Sequence, residues 1–556
     1  MSNNTQTLPI GSKIIFSGDL NPRLFWKGSA SSIAFTESDQ RSRLLSLENP
    51  VWVVSQGTSC STTNKIGLVN EGEVVTNPGA ANISSPLLAF VPALTIDQLG
   101  DPVFKATHKT RYAYYAGAMA NGIASEKMVI TLGKAGLLGS FGSAGLVPKR
   151  IEAAIDQVKS ALPEGPYMFN LINSPSEPAL EQKIVELYLK HGISSIEAAA
   201  YLFITTNLAY YRAAGLSLSP SGEIIISNRI TAKLSRKEVA RHFLSPAPAD
   251  ILSLLVTEGK ITELQARLAG QAPMADDITV EADSGGHTDN RPLVCILPAI
   301  IALRDELQAK YNYTQGTSCS TPVRIGAGGG IGTPASALAA FMMGASYIVT
   351  GSVNQACVES GASEHTKALL AKVEMTDVSM APAADMFEMG VKVQVLKRGT
   401  MFAVRANKLY ELYTHYDSMD AIPAQEREKL ESQIFKKDFD TIWSETIQFF
   451  NERDPRQVER AEANPKEKMA LLFRWYLGLS SIWSTNGEKG REMDYQIWCG
   501  PAMGAFNDWT RGTYLAEPAN RHVVDVAFHI LTGCAYLYRL RMLNLQGVHF
   551  PTSLNK

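Results

Sequence analysis

The sequence predicts an α/β protein built on a (β/α)8 TIM barrel, with a strand-rich N-terminal region and a helical cap. From about residue 111 onward, short apolar runs alternate with helical stretches, which is the pattern of βα units around a parallel sheet. Eight such units fill roughly 240 residues, the usual size of one barrel. Two glycine-rich loops follow late strands, and in this fold the loops after the strands carry the chemistry.

Composition and charge narrow the class of protein. The 556 residues are 45% hydrophobic and 19% charged, and 52 basic residues nearly balance 54 acidic ones, so nothing favours binding to nucleic acid or to an anionic membrane. The polar opening residues lack the apolar core of a signal peptide, and no apolar run reaches about twenty residues, so we expect no membrane span. The six cysteines are scattered without zinc-binding spacing, which favours a reducing cytoplasm and no metal site.

The barrel strands are predicted from short apolar or β-branched runs that end in small or polar residues. In chain order they are Tyr114–Met119, Gly136–Ser140, Pro166–Leu171, Ser195–Ala198, Arg229–Leu234, Ile278–Ala282, Pro322–Ala327 and Tyr347–Ser352.

Helix signals stand between these strands. Ser125 occupies an N-cap position after the first strand. After the seventh strand, Thr333 occupies a cap position, Pro334 the first turn, and Gly344 lies just past the end of the helix. Each signal predicts a helix that crosses back over the sheet.

The chain is predicted to have four parts. Residues 1-110 form the strand-rich region, and residues 111-375 form the barrel, with a helical insert at 244-276. Residues 376-510 form a helical cap over the active-site face, and 511-556 contain an apolar helix, Val523–Leu543, that closes on the barrel. A short segment, Gln56–Thr62, recurs as Gln315–Thr321, and the sequence offers no physical account of this repeat.

The loops after the seventh and eighth strands have the composition of an anion-binding site. Gly328, Gly329 and Gly330 leave backbone N–H groups free to approach a ligand, and the next helix begins close by. Gly351 and Ser352 add N–H and hydroxyl donors after the adjacent strand. A tight turn without a ligand would explain one such loop, but two on neighbouring βα units favour a bound phosphate.

The loop after the sixth strand contains the candidate catalytic residue, His287. Ser284, Gly285 and Gly286 precede it, and the two glycines would let the backbone lie flat against a planar ring. An imidazole at a strand end can hydrogen-bond a substrate carbonyl or transfer a proton near neutral pH. A core histidine held by backbone groups is the alternative, which the polar residues Asp289 to Arg291 make less favourable.

Residues at the ends of earlier strands are candidates for holding the rest of a cofactor. After the first strand, a methionine can cover one face of a ring while an asparagine and backbone amides reach its heteroatoms; these residues are Ala118, Met119, Ala120 and Asn121. Polar residues at the ends of the third, fourth and fifth strands are Asn170, Glu197 and Lys233. A cation there could stabilise an anionic cofactor, while an ion pair between Glu197 and Lys233 is an equally good interpretation.

Cys319 suggests a rival chemistry. Its loop, before a glycine-rich strand, is similar to that of inosine-monophosphate dehydrogenases, in which a cysteine attacks the purine. Here Cys319 lies six residues before Ile325, which leaves no room for a mobile catalytic loop. We therefore interpret it as part of a turn that enters the seventh strand.

Several stretches together resemble one family, the PfaD trans-acting enoyl reductases of polyunsaturated fatty acid and polyketide synthases, within the 2-nitropropane dioxygenase-like flavoproteins. The most specific is the loop Asp-Ser-Gly-Gly-His-Thr-Asp-Asn-Arg-Pro, and the resemblance extends over most of the chain. The stretches that carry it are Ala118–Ser125, Ala282–Pro292, Val391–Leu396, Arg405–Tyr410, Trp498–Gly504 and Phe506–Asn507.

The resemblance implies FMN as the phosphate ligand and NADPH (or NADH) as the reductant. It implies reduction of the 2,3-double bond of an acyl thioester on an acyl carrier protein, with hydride passing to the β-carbon and a proton to the α-carbon. His287 matches the active-site histidine of the family, and binding of the thioester carbonyl and proton delivery both stay open as its role. A homodimer is also left open.

The cap has two expected roles under this resemblance. Residues 470 to 515 would form an apolar tunnel for the acyl chain, and basic residues would meet an acidic carrier protein; these are Lys392, Lys397, Arg398 and Arg405. Two other functions stay open, a nitronate monooxygenase-like flavin oxidase and a non-catalytic subunit that holds partner proteins.

Overall fold

The computed structural model describes residues 15–16, 24–56, 65–76, 84–175, 177–313 and 322–555. Both copies of the repeated segment, and Cys319, lie almost entirely outside these residues. The chain divides into two compact units, one of Met1–Leu99, Ala337–Ala339 and Phe528–Lys556, the other of Gly100–Ser336 and Ala340–Ala527.

The larger unit contains a closed barrel of eight parallel strands whose order around the barrel is their order in the chain. All eight strands are among those predicted, with ends moved by a few residues. They are Tyr114–Ala116, Leu138–Phe141, Met168–Ile172, Ser195–Ala199, Arg229–Leu234, Asp277–Glu281, Arg324–Gly328 and Ile348–Thr350.

The barrel interior is closed at its lower end by large and charged side chains. The Tyr115 and Tyr347 hydroxyls both lie within hydrogen-bond distance of Thr279 Oγ1, at 2.9 and 3.0 Å. Below them Asp277, fully buried, contacts Arg324 through two hydrogen bonds of 2.6 and 2.9 Å and His108 Nε2 at 2.8 Å. The barrel is therefore a packed core and not a pore, and ligands can enter at the opposite end, where the strands finish.

Helices surround the barrel as the capping signals predict. The Ser125 hydroxyl accepts a hydrogen bond from the Met128 amide at 3.1 Å, and the Thr333 hydroxyl accepts one from the Ser336 amide at 3.2 Å. The helices of this region are Pro102–His108, Glu126–Lys134, Pro148–Ala161, Pro178–Lys190, Thr206–Ala214, Lys237–Leu244, Ala249–Thr257, Glu263–Ala269, Leu293–Tyr311, Pro334–Met342, Ser352–Gln355 and Glu364–Leu370. A hairpin that was not predicted, Leu216–Leu218 with Ile224–Ile226, precedes the fifth strand.

The cap region begins with strands before it becomes helical, which the sequence analysis did not predict. Val378–Pro382 pairs antiparallel with Lys392–Leu396, which pairs in turn with Gly286–His287 of the histidine loop. The α-helices that follow are Phe402–His415, Ala424–Lys429, Phe439–Arg453, Arg456–Ala463, Pro465–Asn486 and Ala502–Thr510, with a π-helical turn at Leu430–Phe435 and 3-10 turns at Glu492–Asp494, Tyr514–Ala516 and Pro518–Asn520. Buried residues of both the strands and the helices share one hydrophobic core.

The N-terminal unit is a five-stranded antiparallel sheet, in the order Ile66–Val69, Val51–Ser55, Ser84–Val91, Phe25–Lys27 and Glu73–Val75. Its other elements are the helix Glu37–Leu45, 3-10 turns at Ala30–Ser32, Ile96–Gln98 and Thr552–Asn555, and the pair Ile15–Phe16 with Val548–His549. Its strand-rich character agrees with the sequence analysis.

The later part of the C-terminal helix, Val523–Leu545, packs on the N-terminal sheet, and the closure of the helix on the barrel stays a prediction. Leu540 and Leu543 lie in one core with Val51 and Leu68 of the N-terminal sheet, so this part of the helix completes that sheet's core. The helix has a mean hydropathy of 1.2 over its most apolar window and is long enough to cross a membrane, but 56% of that window is buried inside the protein. A core helix of a soluble protein has the same length and composition, so the helix is weak evidence for a span.

Candidate active site

A cavity of about 640 Å³ opens at the carboxyl ends of the barrel strands. This volume is in the range of sites that hold cofactors and drug-sized ligands. Apart from Glu197, which is fully buried, the predicted catalytic and cofactor-binding residues line it: Ala118, Met119, Ala120, Asn121, Asn170, Lys233, Ser284, Gly285, Gly286, His287, Gly328, Gly329, Gly330, Gly351 and Ser352. The barrel topology brings them together because parallel strands place all their carboxyl ends on one face.

Two successive glycines of the loop after the seventh strand, Gly329 and Gly330, share a left-handed backbone conformation but differ in the space around them. Gly329 and Gly330 have φ angles of 79° and 72°, in the left-handed region that favours glycine. A Cβ atom on Gly329 would lie 2.7 Å from the backbone of Ala282, whereas no described atom lies within 4 Å of one on Gly330. Gly329 therefore packs against the neighbouring strand, and Gly330 faces open cavity.

The loop after the eighth strand is supported by a segment that the sequence analysis assigned to the acyl-chain tunnel and to the family resemblance, and not to the cofactor-binding loops. The Ser352 hydroxyl accepts a hydrogen bond from the Gly500 amide at 3.0 Å. The backbones of Gly285 and Gly500 pass so close that a Cβ atom on either would lie 2.8 Å from the other segment. The signal in the sequence was the Gly500–Pro501 pair, which is typical of a tight turn.

The loop after the first strand is tied to the cap. Asn121 has a φ angle of 58°, and its Nδ2 donates a hydrogen bond of 3.0 Å to Ser481 Oγ on the helix Pro465–Asn486. Its backbone N–H donates to Ala144 O at 2.8 Å, in the loop after the second strand. These bonds fix the orientation of Met119 and Ala120 at the cavity wall.

Three charged side chains form a cluster at the barrel mouth. Lys233 Nζ lies 3.3 Å from Glu281 Oε1 and 3.9 Å from Glu197 Oε1. Glu197 is fully buried, and its Oε2 accepts a hydrogen bond of 2.9 Å from the Ala118 amide. Burial raises the pKa of Glu197, while Lys233 opposes the rise. Burial would lower the pKa of Lys233, but the two carboxylates hold it above its ordinary value, so the ammonium is charged.

The Asn170 side chain contacts the backbone of Glu197, a member of this cluster. Its Nδ2 donates a hydrogen bond of 3.0 Å to Glu197 O, and its own carbonyl oxygen accepts one of 2.7 Å from the Tyr188 hydroxyl. Of the buried side-chain atoms that the structure describes, Glu197 Oε1 is one with no hydrogen-bond partner. This buried carboxylate oxygen has Lys233 Nζ as a charged neighbour at 3.9 Å.

His287 is paired with a carboxylate that the sequence analysis did not assign. Its Nε2 lies 3.2 Å from Asp385 Oδ1, and both side chains are about one-third exposed at the cavity wall. Burial would lower the pKa of His287, but Asp385 raises it above the ordinary value. The imidazole is therefore biased toward its protonated form, which can donate a proton or a hydrogen bond.

The histidine loop is held rigid by a side-chain network. Asn290, with a φ angle of 50°, donates to Asp283 Oδ1 at 3.0 Å and to Gln394 Oε1 at 2.9 Å. Gln394 Nε2 donates in turn to Asp283 Oδ1 and Ser284 O, each at 2.7 Å. With the strand pairing of Gly286–His287, these bonds fix the position of the imidazole.

The cap contributes an apolar wall to the cavity. Lining side chains come from the helices Phe439–Arg453 and Pro465–Asn486 of the cap and Pro178–Lys190 of the barrel, and they include Phe449, Phe450, Leu471, Trp475, Ile482, Leu180 and Ile184. Residues 470 to 515 were expected to form an apolar tunnel, and Leu471, Trp475 and Ile482 of that range do line the cavity. Phe449 and Phe450 also line it but precede that range.

One basic residue expected to meet a carrier protein is already paired within the cap. Arg405, whose side chain is partly exposed, forms an ion pair with Asp494, which is fully buried and also accepts a hydrogen bond of 2.9 Å from the Tyr476 hydroxyl. The charge of Arg405 thus neutralises a buried carboxylate, and its expected contact with a carrier protein stays a prediction. Arg398 lies 3.0 Å from Asp377, whereas Lys392 and Lys397 are exposed.

Three family models match the chain. Residues 102–428 match nitronate monooxygenase, and residues 26–93 match the N-terminal domain of the fatty acid synthase subunit PfaD. Residues 416–495 match the inserted helical domain of [acyl-carrier-protein] S-malonyltransferase. The barrel, the N-terminal sheet and the helical cap thus each correspond to a known module.

Curated relatives belong to fatty acid and polyketide assembly systems. One component of the polyunsaturated fatty acid synthase of Thraustochytrium sp. is 49% identical over 467 residues, which are 83% of this chain and 31% of the relative. Polyketide biosynthesis protein PksE of Bacillus subtilis is 45% identical over 453 residues, 81% of this chain and 58% of the relative. The chain therefore spans a third to somewhat over half of the length of these relatives.

A solved structure shares the fold at high sequence identity. The enoyl reductase domain of MlnA, from the macrolactin biosynthesis cluster of Bacillus amyloliquefaciens, has a TM-score of 0.76 and 42% identity. The match covers 81% of this chain and 100% of that domain.

Proposed function

This chain belongs to the nitronate monooxygenase family and to its PfaD group, and we propose on that premise that it is an FMN-dependent, NAD(P)H-consuming enoyl reductase. Its substrates are 2-enoyl thioesters carried on acyl carrier protein, and it acts in trans within polyunsaturated fatty acid or polyketide biosynthesis. The observation that carries the proposal is one cavity lined by the glycine loops, by the His287–Asp385 pair and by apolar side chains of the cap.

The residues present fit a flavin nucleotide. Gly330 and Gly351 face open space, since no described atom lies within 4 Å of a Cβ built on either, so a phosphate can approach their backbone N–H groups. Met119, Ala120, Gly285 and Gly286 all line the cavity, and small residues among them leave room for a planar ring. Lys233, Asn121 and Asn170 offer polar groups to the ring.

FMN, when bound, supplies the hydride for the β-carbon of the enoyl thioester. His287 then binds the thioester carbonyl or delivers the proton to the α-carbon, and its pairing with Asp385 favours the protonated form that either role needs. Lys233, which lines the cavity, would place its positive charge beside a bound flavin and would stabilise negative charge that develops there. The cap wall excludes water and contacts the acyl chain.

Partners and location follow from the same proposal. The curated relatives are polyunsaturated fatty acid synthase and polyketide biosynthesis proteins, which supports a carrier protein as the partner that presents the substrate. Of the described cysteines, Cys295, Cys357, Cys499 and Cys534 are free, which suits a reducing cytoplasm. NADPH is the reductant that we propose. The proposed reaction can be carried out by a monomer or by a homodimer.

The test is an anaerobic absorbance spectrum of the purified protein, first with NADPH and then with a 2-enoyl thioester on a carrier protein. A flavin band that bleaches with NADPH and returns with the enoyl thioester is the expected result. A band that returns only with air or a nitronate would instead support a nitronate monooxygenase, the activity for which the matched family is named. A purified protein without a flavin band would overturn the cofactor assignment.

A further inference from the structure

The cap helix Pro465–Asn486 lines the active-site cavity with one mainly apolar stripe and with flanking residues that include Arg474 and Ser481. Leu471, Trp475, Gly478 and Ile482 all line the cavity and are spaced four, three and four residues apart. This spacing places them on one face of an α-helix, one above the other. Three of the four are large and apolar, and the fourth has no side chain.

The opposite walls of the same space carry apolar side chains beside acidic ones such as Glu181. Phe449 and Phe450 of the helix Phe439–Arg453 line it, as do Leu180 and Ile184 of the helix Pro178–Lys190. The indole N–H of Trp475 is satisfied by a hydrogen bond of 3.0 Å to Glu445, which also lines the cavity. We call the part of the cavity that is lined by the apolar side chains of these three helices the channel.

The channel opens to solvent at its outer end. Phe449 is 49% exposed and Ile482 is 41% exposed, although both line the cavity. A chain longer than the cavity can therefore extend past these two side chains without a clash, and its inner part stays among apolar groups.

Gly478 is the residue that keeps the channel wide. It lies well inside a helix of 22 residues, where glycine is less favourable than alanine. Neither backbone nor packing requires it there, since its φ angle is not in the left-handed region and no atom among the described residues lies within 4 Å of a Cβ built on it. Because Gly478 lines the cavity, that open space is part of the channel.

We propose that Gly478 is a specificity-determining residue, whose missing side chain admits an extended apolar acyl chain of the enoyl substrate between the cap helices. The inference deepens the proposed function and rests on it. It assigns the channel to the acyl chain beyond the double bond, because the side chains above and below Gly478 on the stripe, and Phe449 and Phe450 opposite, are hydrocarbon or aromatic. A pantetheine arm carries amides that need polar partners.

The experiment compares wild-type holoenzyme with Gly478→Leu, which fills the channel, and with Gly478→Ala, the matched control that changes the backbone preference and adds one methyl group. Each protein is reduced anaerobically, and reoxidation of its flavin is timed with pantetheine thioesters of 2-butenoic, 2-octenoic and 2-dodecenoic acid. Flavin content and Tm are recorded for each, so that loss of cofactor or of folding is recognised.

Gly478→Leu should reduce the rate with 2-octenoyl and 2-dodecenoyl thioesters by about fiftyfold or more, since each methylene that is no longer buried costs about a factor of four in affinity. Its loss with the 2-butenoyl thioester should be at least about tenfold smaller than with the longer chains, and Gly478→Ala should lie between wild type and Gly478→Leu with the longer chains. Equal effects of the leucine on short and long chains, or none, would overturn the inference.

A failure of the proposed function has a different signature, because wild type would then not be reoxidised by the 2-butenoyl thioester either. In that case calorimetric binding of saturated butyryl and dodecanoyl pantetheine to the same three proteins decides the channel assignment. Tighter binding of the longer chain to wild type, lost in Gly478→Leu, would uphold it, and chain-length-independent binding would overturn it.

Discussion

Single residues at the barrel mouth carry charge in two separate groups. His287 has a carboxylate partner in Asp385, and Lys233 lies between Glu197 and Glu281. In both groups the carboxylates raise the pKa of the cation against the effect of burial. A site with the proposed function, which holds an anionic cofactor and polarises a carbonyl, gains from cationic groups whose positions are fixed before the ligand arrives.

Replacing Asp385 by asparagine should change the pH dependence of the reaction. Burial lowers the pKa of His287 and Asp385 raises it, so without the carboxylate the pKa of His287 falls. The protonated imidazole predominates below its pKa, and the alkaline decline in kcat/KM should therefore shift to lower pH in Asp385→Asn. His287→Ala, with flavin content retained, should lose about 10²- to 10⁴-fold in rate and show no such decline. A decline at the same pH in Asp385→Asn and wild type would contradict this assignment.

Replacing Lys233 by methionine should destabilise the protein by about 3 kcal/mol, because it leaves two carboxylates close together at the mouth without a countercharge. The double variant Lys233→Met/Glu197→Gln should recover part of that loss, since the amide removes the fully buried charge. Urea unfolding of wild type, both single variants and the double variant measures the coupling. Strictly additive free energies would show that Lys233 does not interact with Glu197.

At the scale of elements, the strand ends were predictable and the cap contacts were not. The strand bearing Lys233 was predicted to the residue, and the strand leading to His287 to within one, because each is a β-prone run bounded by turn residues. Asp385 lies 98 residues beyond His287 in the chain, so only tertiary packing brings the two together. The same is true of Ser481 beside Asn121.

Two strands of the cap differ in how well their sequences predict them. Lys392–Leu396 alternates polar and apolar residues, a strand signal that was present in the sequence but served only as part of a family resemblance. Val378–Pro382 ends in proline and has no clear alternation, and it is held in its sheet by its pairing with Lys392–Leu396. Gly286–His287 is a two-residue strand, too short for any pattern.

The glycine loop after the seventh strand offers a matched pair of substitutions. Gly329→Ala and Gly330→Ala each place a side chain in the left-handed region, which costs about 1–2 kcal/mol. Gly329→Ala adds a clash with the Ala282 backbone and should lose a further 1–3 kcal/mol or so, seen by denaturant unfolding. Gly330→Ala should fold but retain less FMN, measured as flavin released per chain, because its methyl group enters the open space proposed for the phosphate. Full flavin content in Gly330→Ala would place the phosphate elsewhere.

At the scale of the whole barrel, one end contains the candidate active site and the other contains a buried ion-pair cluster. The carboxyl ends of the strands hold the cavity, with its open glycines and partly exposed His287. The opposite end holds Asp277 between Arg324 and His108, all nearly inaccessible to solvent. Fixed geometry at one end while chemistry proceeds at the other is the general arrangement of this fold.

Asp277→Asn should therefore affect stability and leave the active site alone. The substitution leaves a buried guanidinium without its carboxylate and should cost about 3–5 kcal/mol in urea unfolding. Glu164→Gln, which breaks the exposed pair with Lys109, is the matched control and should cause no measurable change. The flavin that survives in folded Asp277→Asn should be reduced and reoxidised at the wild-type rate, since Asp277 is absent from the cavity lining.

The pH dependence of this effect has a definite sign. Burial opposes ionisation of Asp277, but Arg324 and His108 hold the pKa of its carboxyl well below the ordinary value. A depressed folded-state pKa contributes stability that is present above the unfolded pKa of about 3.9 and is lost as pH falls toward the folded value. The stability gap between wild type and Asp277→Asn should therefore be full at pH 6 and narrow below about pH 4. A gap that is constant from pH 6 to 3 would show that lost packing, and not the lost ion pair, causes the destabilisation.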